Sequence, residues 1–160
     1  MTKERTDVFR PEQFFRAGAA AVIRNASGLI LCFERIDTPG AWQLPQGGLK
    51  EHEEPLQGIY REIFEETALP PDQLELLTAY PDPLAYELPD RLRNAKNGRG
   101  QVLYCFLFHL VGTDTTIDLA RGEEFRSWKW ISFQGLLTSV VEFRRPLYRR
   151  LAEWLQTMVS

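Results

Sequence analysis

The residues that build covalent cross-links and zinc centres are scarce in this sequence, which contains two cysteines and two histidines among 160 residues. Cys32 and Cys105 both lie in apolar runs, so the sequence predicts two buried thiols and argues against a disulfide scaffold. No run approaches the roughly 18 apolar residues of a membrane span, and the N-terminus lacks the apolar segment of a secretory signal. We therefore expect a soluble, cytoplasmic protein without a membrane partner, folded as a single domain over residues 1–160.

An excess of basic residues is also missing, because 19 lysines and arginines stand against 22 aspartates and glutamates and give a net charge of −3. No overall positive field attracts this protein to nucleic acid, and we expect no DNA partner. Any attraction to a polyanion must be local, from the basic residues at 91–99 and at 144–150.

The most informative stretch is 47–69, which reads GGLKEHEEPLQGIYREIFEETAL. Pro55 suits the first position of a helix, and Ile59 and Ile63 lie on one face at helical spacing. This pattern predicts a helix from Pro55 to about Thr67.

Three glutamates of this helix, Glu62, Glu65 and Glu66, fall at i, i+3 and i+4 and so lie on one face within one turn. Like charges in this arrangement repel one another and tend to raise carboxylate pKa values, whereas a divalent cation removes the repulsion. The loop before the helix adds Gly47, whose carbonyl can bind a metal. Oxygen ligands alone favour Mg²⁺ or Mn²⁺ over Zn²⁺.

Glu53 and Arg61 are predicted to play a structural part in the same segment. Glu53 lies near the start of the helix and can pair with Arg61 two turns later, which would lock the loop to the helix. The alternative for the whole segment is an acidic surface helix with i,i+4 ion pairs and no ligand.

The spacing of these residues resembles the Nudix box, in which a glycine, five residues, a glutamate and seven residues precede Arg-Glu-aliphatic-x-Glu-Glu-x-Gly-aliphatic. The matching positions are Gly47, Glu53, Arg61, Glu62, Ile63, Glu65, Glu66 and Leu69. One position departs, since Ala68 stands where the family has glycine, and a left-handed residue with a side chain costs about 1 kcal/mol there.

Apolar and alternating runs around the box predict further strands and helices. Strands are expected at 15–24, 29–35, 42–44, 74–80, 102–111 and 127–131, and helices at 133–139 and 146–158. This order fits a mixed sheet between helices. The resemblance implies, more specifically, an α+β fold of the Nudix type, an α/β/α sandwich with a central mixed β-sheet.

Segments outside the box resemble the RNA pyrophosphohydrolase and asymmetrical dinucleoside tetraphosphate hydrolase branch of that family. They are GAWQLPQGG at 40–48, AYELP at 85–89, EEFRSWKWIS at 123–132 and VVEFRRPLYRRL at 140–151. The resemblance implies that Glu124 is a further metal-binding carboxylate and that Tyr86 and Phe143 flank a nucleobase. It also implies that Arg16 and Arg35 bind substrate phosphates, and it adds Gln46 to the substrate-binding residues.

One segment departs from the branch, which has Gly-Gln-x-Gln-Lys-Trp-Phe where this chain has GQVLYCF at 100–106. Leu103 and Tyr104 are therefore expected to remove a polar and a basic group from the phosphate path. The basic residues of 91–99 either provide this charge instead or form a solvated loop.

These features predict hydrolysis of a phosphoanhydride by an activated water, with two or more Mg²⁺ or Mn²⁺ ions. The predicted metal ligands are Gly47, Glu62, Glu65, Glu66 and Glu124, and the four glutamates are also the predicted catalytic residues. The general base is one of Glu62, Glu66 and Glu124. The leading substrate is 5′-triphosphorylated or diphosphorylated RNA, the alternative is diadenosine tetraphosphate cleaved to ATP and AMP, and the third hypothesis is a non-catalytic nucleotide-binding module.

Overall fold

The computed structural model describes residues 13–158. The predicted domain of 1–160 also includes residues 1–12 and 159–160, which lie outside the described residues. The strands and helices, in chain order, are β1 (Phe15–Arg24), β2 (Ile30–Arg35), β3 (Trp42–Gln43), β4 (Gln46–Gly48), α1 (Pro55–Thr67), β5 (Leu74–Ala79), β6 (Leu84–Glu87), β7 (Gly100–Leu110), β8 (Phe125–Ile131), α2 (Phe133–Ser139) and α3 (Arg145–Thr157). Within residues 13–158, no helix has the length and apolarity that crossing a membrane requires.

All eight strands belong to one mixed sheet. Its main path is β3-β2-β1-β7-β5, with β4 paired to β1, β6 to β7 and β8 to β2. The central strands β1 and β7 run parallel, from the pair Phe15 and Gly100 to the pair Arg24 and His109. The other pairings are antiparallel.

Two apolar clusters lie on the two faces of this sheet. Alternate residues of a strand point to opposite faces, so Ala19, Ala21 and Ile23 belong to one cluster, whereas Ala20 and Val22 belong to the other. The first cluster includes the buried isoleucines of α1, and the second includes buried residues of α2 and α3. Helices therefore cover both faces, which confirms the predicted α/β/α sandwich.

Most of the predicted elements are confirmed, and several boundaries move. The strand at 15–24 and the helices at 55–67 and 133–139 match their predicted ranges. β7 and β8 each begin two residues earlier than predicted, while β3 is shorter because the backbone N–H of Leu44 donates to the Tyr148 hydroxyl instead of to a strand. β4 and β6 were not predicted as strands, since segments of three and four residues show no clear alternation.

Both predicted buried thiols are confirmed, because Cys32 and Cys105 are at most 1% exposed and neither forms a disulfide. Burial raises the pKa of each thiol to about 12. Helix α1 ends at Ala68, which has a left-handed backbone with φ of 65° and whose N–H donates to the Phe64 carbonyl at 2.9 Å. An alanine therefore occupies the conformation for which the box normally uses glycine.

Candidate active site

An ion pair ties the loop before α1 to the helix itself. Arg61 donates from Nε to Glu53 Oε2 at 2.7 Å and from Nη2 to Glu53 Oε1 at 2.8 Å, and Nη2 also reaches the Gly48 carbonyl at 2.9 Å. Hydrogen bonds from Arg61 and from the Lys50 N–H lower the pKa of Glu53 to about 2. The predicted pair is thus present, and it holds the glycine loop against the helix.

The same guanidinium also contacts two of the candidate metal ligands. Arg61 Nη1 donates to Glu62 Oε1 at 2.8 Å and to Glu65 Oε2 at 3.1 Å. The Glu62 carboxylate lies so close to Gly47 that a Cβ at that position would be 2.0 Å from Glu62 Cδ. Burial raises the pKa of Glu62, and Arg61 opposes this effect.

Glu66 and Glu124 meet where the loop before β8 passes the end of α1. The backbone N–H of Glu124 donates to the Glu66 carboxylate, while Glu66 Oε2 is buried without a hydrogen-bond partner among the described residues. Burial raises the pKa of Glu66. Burial and the charge of Glu66 raise the pKa of Glu124 to about 7, although Arg35 and Arg144 act in the opposite direction.

The donor chemistry of this region fits a hard divalent cation. Its candidate ligands are oxygens, burial raises the pKa of three carboxyl groups, and Glu66 Oε2 is a buried acceptor to which no group of residues 13–158 donates. The five predicted ligands are not fully assembled, because within residues 13–158 no three acidic, histidine or cysteine side chains lie close enough to hold an ion. Arg61 draws Glu62 and Glu65 toward itself, whereas Glu66 points toward the backbone of Glu124.

A cleft of about 780 Å³ opens beside these carboxylates. It brings together all the predicted substrate-binding residues with three of the predicted metal ligands, namely Arg16, Arg35, Gln46, Tyr86 and Phe143 with Gly47, Glu62 and Glu124. Glu65 and Glu66 are not among the lining residues of this cleft. Gln46 is buried there and donates from Nε2 to Gln101 Oε1 at 3.0 Å, while its own Oε1 has no partner among the described residues.

The predicted aromatic pair does not leave room for a base between its rings. Tyr86 and Phe143 stack directly on each other, with ring centroids 5.9 Å apart and an interplanar angle of 26°. Tyr86 is only 4% exposed, and its hydroxyl donates to Gln101 Oε1. In this structure the partly buried Phe143 is the ring that a base can reach, and the flanking of a nucleobase by both rings stays a prediction.

Arg35 is also engaged differently from its prediction. Its Nε and Nη2 donate to the carboxylate of Asp37, each at 2.7 Å. Its Nη1 donates to Gln43 Oε1 at 2.8 Å and lies 3.5 Å from Glu124 Oε1. Because these contacts occupy the donor edge of the guanidinium, a bidentate phosphate contact from Arg35 requires Asp37 to move. Arg16, the other predicted phosphate ligand, donates from Nε to the carbonyl of Asn97 at 2.6 Å.

Two residues at the centre of the site were not predicted. Gln43 is 1% exposed, and its Oε1 accepts hydrogen bonds from both Arg35 and Arg144, while its Nε2 lies 3.4 Å from Glu124 Oε1. Arg144 also lies over the ring of Phe143, 5.5 Å from its centroid. The sequence could have indicated Gln43, because it is a polar residue between apolar neighbours at 41–44. For Arg144, the sequence shows only that it belongs to a cluster of basic residues.

The two departing residues of the segment 100–106, Leu103 and Tyr104, lie outside the cleft. Leu103 is fully buried in the cluster beneath α2 and α3. Tyr104 pairs with Ala19, whose side chain belongs to the cluster on the α1 face, and it is 40% exposed. Neither residue lines the cleft, so the expectation that they strip charge from the phosphate path is wrong.

Comparison with known proteins agrees with this fold. The NUDIX domain family matches residues 14–151. An RNA pyrophosphohydrolase of Cereibacter sphaeroides is 36% identical over 142 residues, covering 86% of this chain and 88% of that protein. Another RNA pyrophosphohydrolase, from Teredinibacter turnerae, is 38% identical over 140 residues, covering 85% of this chain and 82% of that protein.

Solved structures show the same fold at lower identity. An Ap4A hydrolase from C. elegans, in a binary complex, has a TM-score of 0.66 and 22% identity, covering 89% of this chain and 99% of that one. The E. coli dihydroneopterin triphosphate pyrophosphohydrolase has a TM-score of 0.69 and 20% identity, covering 86% of this chain and 97% of that one. Together with the family match and the two relatives, these findings show that the chain belongs to the Nudix family and is a hydrolase acting on pyrophosphate bonds.

Proposed function

We propose that this protein is a metal-dependent RNA 5′ pyrophosphohydrolase, which converts triphosphate or diphosphate ends of RNA into 5′ monophosphate ends. The observation that carries the proposal is the cleft in which the guanidinium groups of Arg35 and Arg144 lie beside the Glu124 carboxylate. Cations can bind a polyphosphate there, next to an acid–base group. The relatives that are 36% and 38% identical support RNA as the substrate.

Gly47, Glu62, Glu65, Glu66 and Glu124 would hold Mg²⁺ or Mn²⁺, and two or more ions are expected. When bound, the ions would neutralise the polyphosphate and lower the pKa of the attacking water. A carboxylate with a pKa near the working pH is best suited to accept the proton of that water. Glu62, Glu66 and Glu124 are the three candidate bases, and in the metal-free site burial raises the pKa of each carboxyl group.

Substrate binding would draw on the rest of the cleft. Phe143 offers a partly buried ring on which a base can stack, and such stacking contributes about 1–3 kcal/mol with little sequence preference. Gln46 Oε1 offers a free acceptor to a hydroxyl or amino group of the nucleotide. Arg16 and Arg144 also line the cleft and add positive charge to it.

Hydrolysis of diadenosine tetraphosphate to ATP and AMP is the second candidate. It would use the same carboxylates and the same cleft, and the fold of the C. elegans Ap4A hydrolase supports it only at the level of architecture. A non-catalytic nucleotide-binding module is the third and least favoured candidate.

A side-by-side assay with Mg²⁺ at mildly alkaline pH tests these candidates. Faster release of phosphate or pyrophosphate from 5′-phosphorylated RNA supports the proposal, while faster formation of ATP and AMP supports the second candidate. Glu66→Gln should reduce hydrolysis at least about a hundredfold, the loss expected for a group that acts on the transition state. Glu153→Gln on the exposed face of α3 removes the same charge outside the cleft and should retain activity. Unchanged turnover in Glu66→Gln would contradict the assigned site.

A further inference from the structure

The loop at 93–99 has a fixed shape that its own hydrogen bonds maintain. Asn94 Oδ1 accepts from the backbone N–H groups of Lys96 at 2.9 Å and Asn97 at 2.7 Å, and the Gly98 N–H donates to the Asn94 carbonyl at 2.8 Å. The Arg16 side chain of β1 donates to the carbonyl of Asn97 at 2.6 Å. The loop is therefore anchored to the central sheet before any ligand binds.

Two basic residues of this region are already occupied by partners. Arg93 donates from Nε to the Leu88 carbonyl at 2.8 Å, and Arg99 pairs with Glu87. These contacts give Arg93 and Arg99 a structural part in holding β6 against the start of β7.

The charges of the other two basic residues, Arg91 and Lys96, have no counterion within residues 13–158. Both are exposed, both line the cleft, and neither side chain makes an ion pair or hydrogen bond with any residue of 13–158. Lys96 lies on this hydrogen-bonded loop, and Arg91 lies in the short helical turn Asp90–Leu92 that precedes it. Cations on an ordered backbone are suited to bind a phosphate, because little conformational entropy of the backbone is lost on binding.

Arg91 and Lys96 are not bonded to the groups at the carboxylate end of the cleft. Arg35 and Arg144 both donate to the Gln43 amide, which in turn contacts the Glu124 carboxylate. These two cations therefore lie beside the candidate metal ligands, where the polyphosphate that is cleaved must bind. Arg91 and Lys96 belong to a different segment of the cleft lining and form no hydrogen bond or ion pair with these four residues.

We propose that Arg91 and Lys96 bind the internucleotide phosphates that follow the 5′ end of an RNA substrate. An RNA chain continues with phosphates beyond its first nucleoside, whereas a dinucleoside polyphosphate carries all its phosphates in one run between two nucleosides. Arg91 and Lys96 thus favour RNA over dinucleoside polyphosphates. This inference rests on the proposed function and names the part of the substrate that these residues recognise.

Equilibrium binding of a 5′-monophosphorylated oligoribonucleotide in the presence of a chelator tests the inference without catalysis. The variant Arg91→Ala/Lys96→Ala is expected to bind at least about tenfold more weakly than the wild type. Two lost contacts with single-stranded RNA should also reduce the slope of log K against log salt by about 1.4, at roughly 0.7 per phosphate. Equal affinity and equal slope in the variant and the wild type would overturn the inference.

A matched control removes two arginines outside both basic clusters and outside the lining of the cleft. Arg24→Ala/Arg126→Ala changes the net charge by the same amount and should bind the oligonucleotide like the wild type. An equal loss in this control would also overturn the inference, because it would show an effect of net charge alone. Lys96→Arg keeps the charge and should keep the affinity.

Hydrolysis assays separate this inference from the proposed function. The double variant is expected to lose kcat/KM on triphosphorylated RNA while its rate on diadenosine tetraphosphate stays within about twofold of the wild type. A wild-type enzyme that hydrolyses no RNA end contradicts the proposed function, whereas the binding measurement with the chelator still decides whether Arg91 and Lys96 bind RNA.

Discussion

Replacing Gly47 with alanine perturbs the candidate site at its tightest contact. A Cβ at this position would lie 2.0 Å from Glu62 Cδ and 2.4 Å from each carboxylate oxygen, whereas ordinary contact begins near 3.4 Å. The Glu62 carboxylate must therefore retreat by about 1.4 Å, the difference between 3.4 Å and 2.0 Å. The end of a glutamate side chain moves more easily than a strand paired to β1, so the fold should survive the substitution.

The cost should appear in catalysis. A misplacement of about 1 Å can reduce a rate about a hundredfold, so kcat/KM for polyphosphate hydrolysis should fall by about that factor, equivalent to about 2.7 kcal/mol of transition-state stabilisation. Gly48→Ala is the matched control, because a Cβ there meets nothing closer than the Ala17 carbonyl oxygen at 4.0 Å. The two rates and the thermal midpoints of both variants are to be measured together. Similar activity in the two variants would refute the close approach of Glu62 to Gly47.

Two further predictions concern stability. Ala68→Gly should raise the free energy of unfolding by about 0.5–1 kcal/mol, because the left-handed conformation costs alanine about 1–2 kcal/mol and the gain is only partly offset by the larger entropy of glycine in the unfolded chain. Calorimetry should show a midpoint higher by about 1–4 °C, and a lower midpoint would contradict the backbone strain at Ala68. In metal-free protein, burial favours the protonated form of Glu124. The resulting contribution to the free energy of unfolding is fully present below pH 4.5 and is lost as the pH rises through about 7. Urea unfolding with a chelator should therefore show Glu124→Gln to be more stable than the wild type at pH 8, by up to about 3 kcal/mol, and no such gain at pH 4.

The helix and its charged face were predictable because their geometry is local. Once Pro55 begins the helix, the positions of Glu62, Glu65 and Glu66 follow from its 3.6-residue period. The pairing of Glu53 with Arg61 needs only the loop and two helical turns, eight residues apart in the chain. A sequence can specify such contacts because few conformations of the chain between the partners compete with them.

The wall of the cleft was less predictable because its contacts join distant parts of the chain. Arg144 and Gln43 are 101 residues apart and meet only when α3 packs beneath the sheet. The resemblance placed Tyr86 and Phe143 in the cleft, but it could not show that the two rings stack on each other. The same limit explains the error at Tyr104, whose direction depends on the register of β7 against β1.

The site holds acidic and basic side chains close together, but not every one of them forms an ion pair. Glu53, Glu62 and Glu65 share Arg61, and Asp37 occupies Arg35, whereas Gln43 joins Arg35, Arg144 and Glu124 through a neutral amide. A carboxylate in place of that amide would pair with both arginines and repel Glu124. Because the Gln43 amide carries no charge, it does not compensate the positive charge of Arg144, and that charge is available to attract a polyphosphate. Without a metal ion, burial and the charge of Glu66 raise the pKa of Glu124 to about 7, and a cation bound beside it would favour its charged form.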